Sequence, residues 1–265
     1  MNALCRNVHI HIEERGEGAP SLIFLHYWGG SSRTWDYVIN ALPFACHTLA
    51  LDLRGWGASD APDKGYALAD FAGDVQRVIA ERGLSTFVLI GHSMGGKIAQ
   101  FLASRRPAGL AGLVLVAPSP PTPLGLPSTI REEMESAYRS TASVEATIDQ
   151  VLTAKPLTKE QRKQVIEDSL RGGAAAKIAW PRYTSQEDIS EEMSAITVPT
   201  LVIAGELDRV DSVSTLEIEL LMRIPHADMH VLPGTGHLSP LESPRDIAEL
   251  IGIFLSSLAQ DGHKA

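Results

Sequence analysis

The sequence has few cysteines, no long apolar run and no cluster of basic residues. Only Cys5 and Cys46 are present, too few for a disulfide framework, so we expect them to be buried thiols or exposed bystanders. No apolar run approaches the roughly 20 residues of a membrane-spanning helix, and the N-terminus lacks a signal peptide's apolar stretch. A net charge of −9 argues against nucleic acid or anionic membrane as a partner. We therefore expect a cytoplasmic protein.

The chain has enough apolar residues to form one large α/β domain with an insertion. Its 265 residues are 44% hydrophobic and 21% charged, so a sizeable core can be buried. Short apolar runs typical of buried strands occur at 22–25, 48–51, 87–90, 113–116, 199–204 and 229–232. Helix-like segments separate them, such as the amphipathic stretch 68–82. This alternation predicts a mostly parallel central sheet with helices on both faces.

Two features near the start of the chain add local predictions. Residues 8–13 alternate between polar and apolar, which indicates a half-exposed edge strand. His9 and His11 on one side of that strand could form a metal pair, but no third ligand is nearby, so a solvated strand is favoured. Further on, Ser32 or Thr34 could cap a helix over 35–42.

The strand and helix pattern is interrupted in the second half of the chain. Residues 119–127 are rich in proline and cannot form a helix or a central strand. A highly charged, helix-like stretch follows and extends to about residue 189. We therefore expect a core domain formed by 1–118 and 191–265, with 119–190 as an inserted helical cap.

The stretch around Ser93 carries the most specific chemical signal. An apolar run stops at Gly91, a helix-like pattern begins after Ser93, and Gly95 completes the string Gly-x-Ser-x-Gly. Such a turn from strand to helix exposes the serine hydroxyl at a helix N-terminus, where an oxyanion is favoured. An ordinary glycine-rich turn is the alternative. The flanking strand and helix favour Ser93 as a nucleophile.

Asp208 and His237 are the partners that we expect for this serine. Each follows a predicted strand, and parallel strands end on the same edge of a sheet. His237 would take the serine proton and return it to the leaving group, and Asp208 would hold the histidine tautomer. Asp211 competes with Asp208 for this role. Glycines at 234 and 236 predict a mobile loop around His237.

Acyl transfer also requires donors for the oxyanion that develops on the substrate. The backbone N–H of Met94, directly after the serine, is one candidate. The backbone N–H of Trp28, in the loop after the strand 22–25, is the other. We expect His26 to be a hydrogen-bonding structural residue rather than a catalytic base.

The sequence contains five motifs: Leu-His-Tyr-Trp-Gly-Gly, Asp-Leu-Arg-Gly-Trp-Gly-Ala-Ser-Asp, Gly-His-Ser-Met-Gly-Gly, Ala-Gly-Glu-Leu-Asp and Gly-Thr-Gly-His. Together they resemble the motifs of the α/β-hydrolase superfamily. The resemblance covers residues 22–260 and implies the α/β-hydrolase fold with a cap. The motifs resemble most closely small cofactor-free bacterial esterases and the perhydrolases called non-haem haloperoxidases; enol-lactonases and C–C hydrolases are near relatives. Tyr27 stands where this family usually has glycine. Ser93 disfavours the members that use an aspartate nucleophile.

We therefore predict a serine hydrolase that cleaves carboxylic esters of small or medium acyl or aryl groups through an acyl-enzyme, without metal or cofactor. Hydrolysis of an enol-lactone or of a C–C bond on the same triad, and a hydrolase-like ligand receptor, remain alternatives. The candidate pocket residues are Tyr27, Trp180 and Tyr183; Trp180 could instead pack cap helices together. The expected partner is a small-molecule substrate, and association into a homo-oligomer remains open.

Overall fold

A seven-stranded sheet forms the centre of the structure, a computed structural model that describes residues 8–261. Cys5 lies outside the described residues. The strands are β1 (Ile12–Arg15), β2 (Ser21–Leu25), β3 (Thr48–Leu51), β4 (Phe87–His92), β5 (Leu110–Val116), β6 (Thr200–Gly205) and β7 (Ala227–Leu232).

The order of the strands reverses direction beside β2. The order is β1-β3-β2-β4-β5-β6-β7, and every neighbouring pair except β1 with β3 is parallel. From β2 the chain first moves outward to β3 and then returns to β4 on the other side of β2. The connections that leave β2 and β4 therefore diverge, and this is where open parallel sheets bind ligands.

Ten helices cover the sheet within the described residues. They are α1 (Asp36–Asn40), α2 (Leu68–Glu81), α3 (Met94–Ser104), α4 (Ser128–Ser136), α5 (Thr141–Thr147), α6 (Lys159–Arg171), α7 (Ala174–Arg182), α8 (Val213–Leu216), α9 (Ser239–Glu242) and α10 (Pro244–Asp261). Short 3-10 or π-helical turns adjoin several of them, including the π-helical turn Ile148–Leu152 after α5. Among the helices of residues 8–261, none is long and apolar enough to cross a membrane.

The two faces of the sheet pack against different helices. Leu22 and Phe24 belong to an apolar cluster that includes residues of α1 and α10, whereas Ile23 and Leu25 belong to one that includes residues of α2 and α3. Because successive side chains of a strand point to opposite faces, a continuous apolar run is needed to fill both layers. The predicted mostly parallel sheet with helices on both faces is confirmed.

The segment between β5 and β6 contains the helices α4 to α7, as the prediction of a helical insertion requires. Its buried apolar side chains join the cluster that also contains α2 and α3, so the insertion packs on that side of the sheet. They include Tyr138, Val144, Ile148, Leu152, Val165 and Trp180. The boundaries of 119–190 as a separate cap domain stay a prediction.

The predicted edge strand lies later in the chain than the alternation indicated. Strand β1 begins at Ile12 and pairs with β3, which is only four residues long. Residues 8–11 precede it and bond instead to the loop after β3: the N–H groups of His9 and His11 donate to the side chains of Asp60 and Ser59. The short partner strand therefore limits the edge strand to Ile12–Arg15.

The prediction that Ser32 or Thr34 caps a helix over 35–42 is wrong. Ser31 is the capping residue, and its hydroxyl accepts the N–H of Arg33 at 3.2 Å. The N–H of Ser32 is instead bonded to the carboxylate of Asp52 at 2.6 Å. The chain makes a 3-10 turn over Ser32–Trp35 before α1 begins, because these bonds hold the first turn in place.

Candidate active site

Ser93 occupies a sharp turn between β4 and α3. Its backbone has φ 52° and ψ −114°, which lies in the left-handed half of backbone space where a side chain is strained. A Cβ on Gly91 would lie 2.3 Å from the carbonyl oxygen of Gly95, and one on Gly95 would lie 2.4 Å from that of Leu25. Only glycine fits at both positions, so the motif satisfies the geometry of the turn.

Ser93, His237 and Asp208 form a continuous chain of hydrogen bonds. The Oγ of Ser93 lies 2.9 Å from Nε2 of His237, and Nδ1 of His237 lies 2.8 Å from Oδ2 of Asp208. A carboxylate only accepts hydrogen bonds, so Nδ1 carries the proton and Nε2 is free to accept the proton of the serine. The structure therefore brings together the three residues that the sequence predicted.

The sheet explains how residues so distant in sequence meet. Ser93 directly follows β4, Asp208 lies three residues after β6, and His237 lies five residues after β7. All three strands are parallel and end on the same edge. Ser93 and His237 are 144 residues apart in the sequence, and the pairing of the strands thus brings them into contact.

Asp208, rather than Asp211, contacts His237. The other carboxylate oxygen of Asp208 accepts the N–H groups of Val210 at 2.7 Å and Asp211 at 3.2 Å, which fixes the orientation of the carboxylate. Oδ2 of Asp211 is buried without a hydrogen-bond partner among the described residues. Burial raises the pKa of Asp211 to about 7.

The pKa of His237 is set by opposing effects. Burial disfavours the imidazolium and lowers the pKa, whereas the charge and hydrogen bond of Asp208, the charge of Asp211 when that group is ionised and the charge of Glu242 raise it. The balance places the pKa above its ordinary value of 6.5. This environment suits a base that must hold a proton briefly and then return it.

The two candidate oxyanion donors lie at the ends of neighbouring strands. Met94 is the first residue of α3, so its N–H has no carbonyl one turn earlier to bond. Trp28 lies in the loop after β2, and the part of the chain that the structure describes supplies no hydrogen-bond acceptor for its N–H. Because β2 pairs with β4 up to the register of Leu25 with Gly91, this loop leaves the sheet beside the turn of Ser93.

His26 supports that loop, as the sequence predicted. Its Nδ1–H donates to the carbonyl of Tyr27 at 2.7 Å, and its Nε2 accepts the N–H of Leu53 at 3.0 Å. Burial lowers the pKa of His26 to about 4, so the ring is neutral and both nitrogens are engaged. The histidine ties the loop after β2 to the loop after β3.

The helical insertion holds the same loop from the other side. The hydroxyl of Tyr138 donates to the carbonyl of Trp28 at 2.9 Å, and the two rings pack with centroids 4.3 Å apart. Ser169 donates to the carbonyl of Gly29 at 3.0 Å. A Cβ on Gly29 would lie 2.5 Å from the Tyr138 ring, so glycine is required for this approach.

The three candidate pocket residues have different surroundings. Tyr27 is buried, and its ring packs 5.2 Å from that of His92. Trp180 is also buried, in α7. Tyr183 is 63% exposed, because the backbone leaves helical geometry after Arg182 and directs the side chain into solvent. The prediction that Tyr183 lines the pocket is therefore corrected, whereas pocket roles for Tyr27 and Trp180 stay predictions.

Sequence reasoning missed His92, the residue before Ser93. Its ring is fully buried, and its Nε2–H donates to the backbone carbonyl of His237 at 2.8 Å. Burial, and next the charge of His237, lower the pKa of His92 well below its ordinary value, so the ring is neutral. Its place inside the glycine-flanked motif was the only available signal.

Lys97 was missed as well. Its fully buried side chain donates to the carbonyls of Thr122 at 2.9 Å and Ser185 at 3.3 Å. Burial lowers the pKa of Lys97 to about 8. Since Thr122 and Ser185 lie near the two ends of the insertion, Lys97 joins the helix of the serine to both of them.

No group of three or more histidine, cysteine, aspartate or glutamate side chains within residues 8–261 could hold a metal ion. His11, from the histidine pair near the N-terminus, contacts Glu13 at 3.1 Å.

Comparisons with known proteins agree with the resemblance that the motifs predicted. A model described as the Alpha/beta hydrolase family matches residues 22–250. A pimeloyl-(acyl-carrier protein) methyl ester esterase of Nitrosomonas europaea is 30% identical over 249 residues, covering 89% of this chain and 95% of that protein. A non-heme haloperoxidase of Rhodococcus erythropolis is 27% identical over 247 residues, covering 86% and 89%.

The fold is shared with solved structures. An esterase from Exiguobacterium antarcticum superposes with a TM-score of 0.82 at 23% identity, and the match covers 95% of this chain and 96% of that one.

Proposed function

Because the chain belongs to the Alpha/beta hydrolase family, we propose that it is a serine hydrolase that cleaves carboxylic esters through an acyl-enzyme intermediate. The observation that carries this proposal is the hydrogen-bonded chain Ser93–His237–Asp208 at a strained turn between strand and helix. Family membership supports hydrolysis in general. The nucleophile, the base and the group that orients the base are proposed from the contacts in this chain.

In the acylation step, Nε2 of His237 accepts the hydroxyl proton of Ser93 while Oγ bonds to the carbonyl carbon of the ester. The carbonyl electrons move to oxygen, and the N–H groups of Met94 and Trp28 stabilise the resulting charge, by about 3 to 4 kcal/mol for each donor. The tetrahedral centre then collapses, and the departing alkoxide takes the proton from His237. Asp208 stabilises the imidazolium during these transfers.

Deacylation repeats the sequence with water as the nucleophile. His237 takes a proton from the water while its oxygen bonds to the acyl carbon, and the proton then returns to Oγ of Ser93 as the acid departs. Every proton transfer uses one imidazole, so this route requires neither a metal nor a cofactor. The apparent rate should rise with pH through a pKa above 6.5, because His237 must be unprotonated to act as a base.

Small or medium acyl or aryl groups are the substrates that this site supports best. Ser93 is only 6% exposed, and Tyr138 and Trp180 of the insertion are buried on the same side of the sheet. The acyl group must therefore fit beneath the insertion. Tyr27, at a position where the family usually has glycine, packs its ring beside His92, and in this proposal that ring also narrows the space for the acyl group.

Three sequence predictions continue as proposals alongside this function. The first is that 119–190 acts as a cap over a core formed by the remainder of the chain. The second is that the protein works in the cytoplasm. The third is that its partner is a small-molecule substrate.

Hydrolysis of an enol-lactone or of a C–C bond on the same residues is the alternative reaction, and a ligand receptor is the alternative class. Purified protein should be tested with p-nitrophenyl esters of increasing chain length, with lactones and with dienones. Many turnovers on the short esters are expected. If the protein prefers a lactone or a dienone, the proposed substrate class changes from esters to that compound. A single slow cycle of hydrolysis with a change in the shape of the protein would support a ligand receptor.

A further inference from the structure

The loop that carries His237 is bonded on both sides of the histidine. On one side, the N–H of Leu238 donates to the carbonyl of Leu152 in the insertion at 2.9 Å. On the other side, the N–H of Gly236 donates to Oε2 of Glu242 at 3.1 Å. The loop that the two glycines predicted to be mobile is thus held at both residues that flank the imidazole.

Glu242 connects the second side to the insertion. The same Oε2 accepts the N–H groups of Ala154 at 3.0 Å and Lys155 at 2.9 Å, so one carboxylate oxygen receives three backbone donors. Oε1 is buried without a partner among the described residues. A Cβ on Gly236 would lie 2.6 Å from the nitrogen of Ala154 and 2.9 Å from Oε1 of Glu242, so the contact requires glycine.

The side chain of Lys155 adds a second link between the same segments. Its Nζ donates to the hydroxyls of Thr235 at 3.1 Å and Ser243 at 2.9 Å, and these two hydroxyls lie 2.8 Å apart. Residues 152–155 are therefore linked to the histidine loop in three ways: by the carbonyl of Leu152, by backbone N–H groups that bond to Glu242, and by the side chain of Lys155.

We infer that Glu242 is a positioning residue that fixes the His237 loop against residues 152–155 of the insertion. The inference rests on the proposed function, because the group that it positions is the proposed base. Glu242 does not touch the reacting atoms. It holds the backbone that carries the imidazole, and a displacement of a base by about 1 Å can lower a rate by about 100-fold.

The charge of Glu242 gives this role a second signature. The titratable groups that face His237 are Asp208, Asp211, Glu242 and His92, whose ring packs 5.3 Å from it. The charges of Asp208 and Glu242, and that of Asp211 when it is ionised, raise the pKa of His237. A change that removes only the charge of Glu242 should therefore lower the pH at which the rate rises. A merely structural role would leave that pH unchanged.

The test is Glu242→Gln, which keeps the length of the side chain and one carbonyl acceptor but removes the charge. For a short p-nitrophenyl ester we expect kcat to fall about 10-fold or more while KM changes by less than about 2-fold. The pH midpoint of kcat/KM should also move to a lower pH. Fluorophosphonate titration of active sites normalises the rates to folded protein.

Glu206→Gln is the matched control. Glu206 also accepts a backbone N–H of this loop, that of Gly234 at 2.7 Å. The side chain of Glu206 is exposed, however, and its donor Gly234 lies three residues before the histidine. The kcat of Glu206→Gln should stay within about 2-fold of that of the original protein, and its pH midpoint should be the same within experimental error.

An unchanged kcat and pH midpoint in Glu242→Gln would overturn the inference. So would a loss of thermal stability accompanied by a normal kcat per titrated site. If Glu242→Gln does not fold, Lys155→Met removes the second link between the same two segments and so tests whether the His237 loop must be fixed against residues 152–155; we expect kcat to fall about 3-fold at constant KM. An unchanged kcat in that variant would overturn the inference too. Activity in Ser93→Ala would instead refute the proposed function, so the two failures are distinguishable.

Discussion

The parallel sheet and the helical insertion both reach the candidate site, but they contribute different kinds of groups. The loops at the sheet edge supply the side chains of Ser93, Asp208 and His237. The insertion supplies Tyr138, which bonds to the backbone of Trp28. It also supplies residues 152–155, which bond to the backbone of Leu238 and to the carboxylate of Glu242. In the proposed mechanism, the sheet therefore provides the reacting groups, and the insertion holds the loops that carry them. Substitutions in the loops of the sheet and substitutions in the insertion should therefore differ in the size and the kind of their effects.

The largest effect is expected on the side of the sheet, from Ser93→Ala. The alanine keeps the Cβ and the backbone of the turn, so the fold should remain intact while kcat for ester hydrolysis falls roughly 10⁴- to 10⁶-fold. Thermal unfolding would verify that the variant is folded. An active alanine variant would contradict the assignment of the nucleophile.

Asp208→Asn should have the next largest effect. Within the residues that the structure describes, Asp208 alone bonds to Nδ1 of His237, so the amide of Asp208→Asn would favour the wrong tautomer, whereas Asp211→Asn leaves that contact in place. We expect Asp208→Asn to lower kcat at least about 100-fold more than Asp211→Asn does. Equal losses in steady-state assays of the two variants would refute the distinction.

On the side of the insertion, Tyr138→Phe should have a moderate effect. Loss of the hydroxyl releases the carbonyl of Trp28, so the proposed oxyanion donor is held less firmly. We expect kcat to fall about 3- to 10-fold with little change in KM. Tyr66→Phe, which loses a comparable bond to the carbonyl of Pro62, is the control and should keep its kcat. Similar kcat values in both variants would show that the insertion does not act through this contact.

Asp211→Asn should have the smallest effect on activity, but it should clearly change how stability depends on pH. With a pKa of about 7, native Asp211 holds a proton that the unfolded chain releases near pH 4. As the pH rises from about 4 to about 7, the free energy of unfolding should therefore decrease, because the native state binds more protons than the unfolded state in this range. The asparagine variant should show a flatter dependence in urea unfolding at pH 5 and pH 8. An identical slope in both proteins would be inconsistent with a buried, protonated Asp211.

The sheet could be predicted because its signals are local. Central strands such as β2 and β6 are buried on both faces and appear as continuous apolar runs. The turn of Ser93 requires glycines at fixed offsets, and the chain order of the three polar residues follows from the sheet. The edge strand β1 was displaced in the prediction because its length depends on the partner strand β3.

The contacts of the insertion could not be predicted in this way. Tyr138 lies 110 residues from Trp28, and Glu242 lies 88 residues from Ala154. No local pattern relates residues that meet only after the insertion packs on the core. The same reason explains the error at Tyr183: an aromatic residue in a polar segment can be buried, as Trp180 is, or exposed, and a turn of the backbone decides which.

The central claim is that Ser93 is the nucleophile of a covalent mechanism, and peptide mapping after covalent labelling tests it most directly. The protein is incubated with a fluorophosphonate, digested and examined by mass spectrometry, with Ser93→Ala in parallel. We predict one phosphonyl group on the peptide that contains Ser93, loss of ester hydrolysis in proportion to labelling, and no label on the alanine variant. A label on another residue, or full ester hydrolysis by protein labelled at Ser93, would contradict the account.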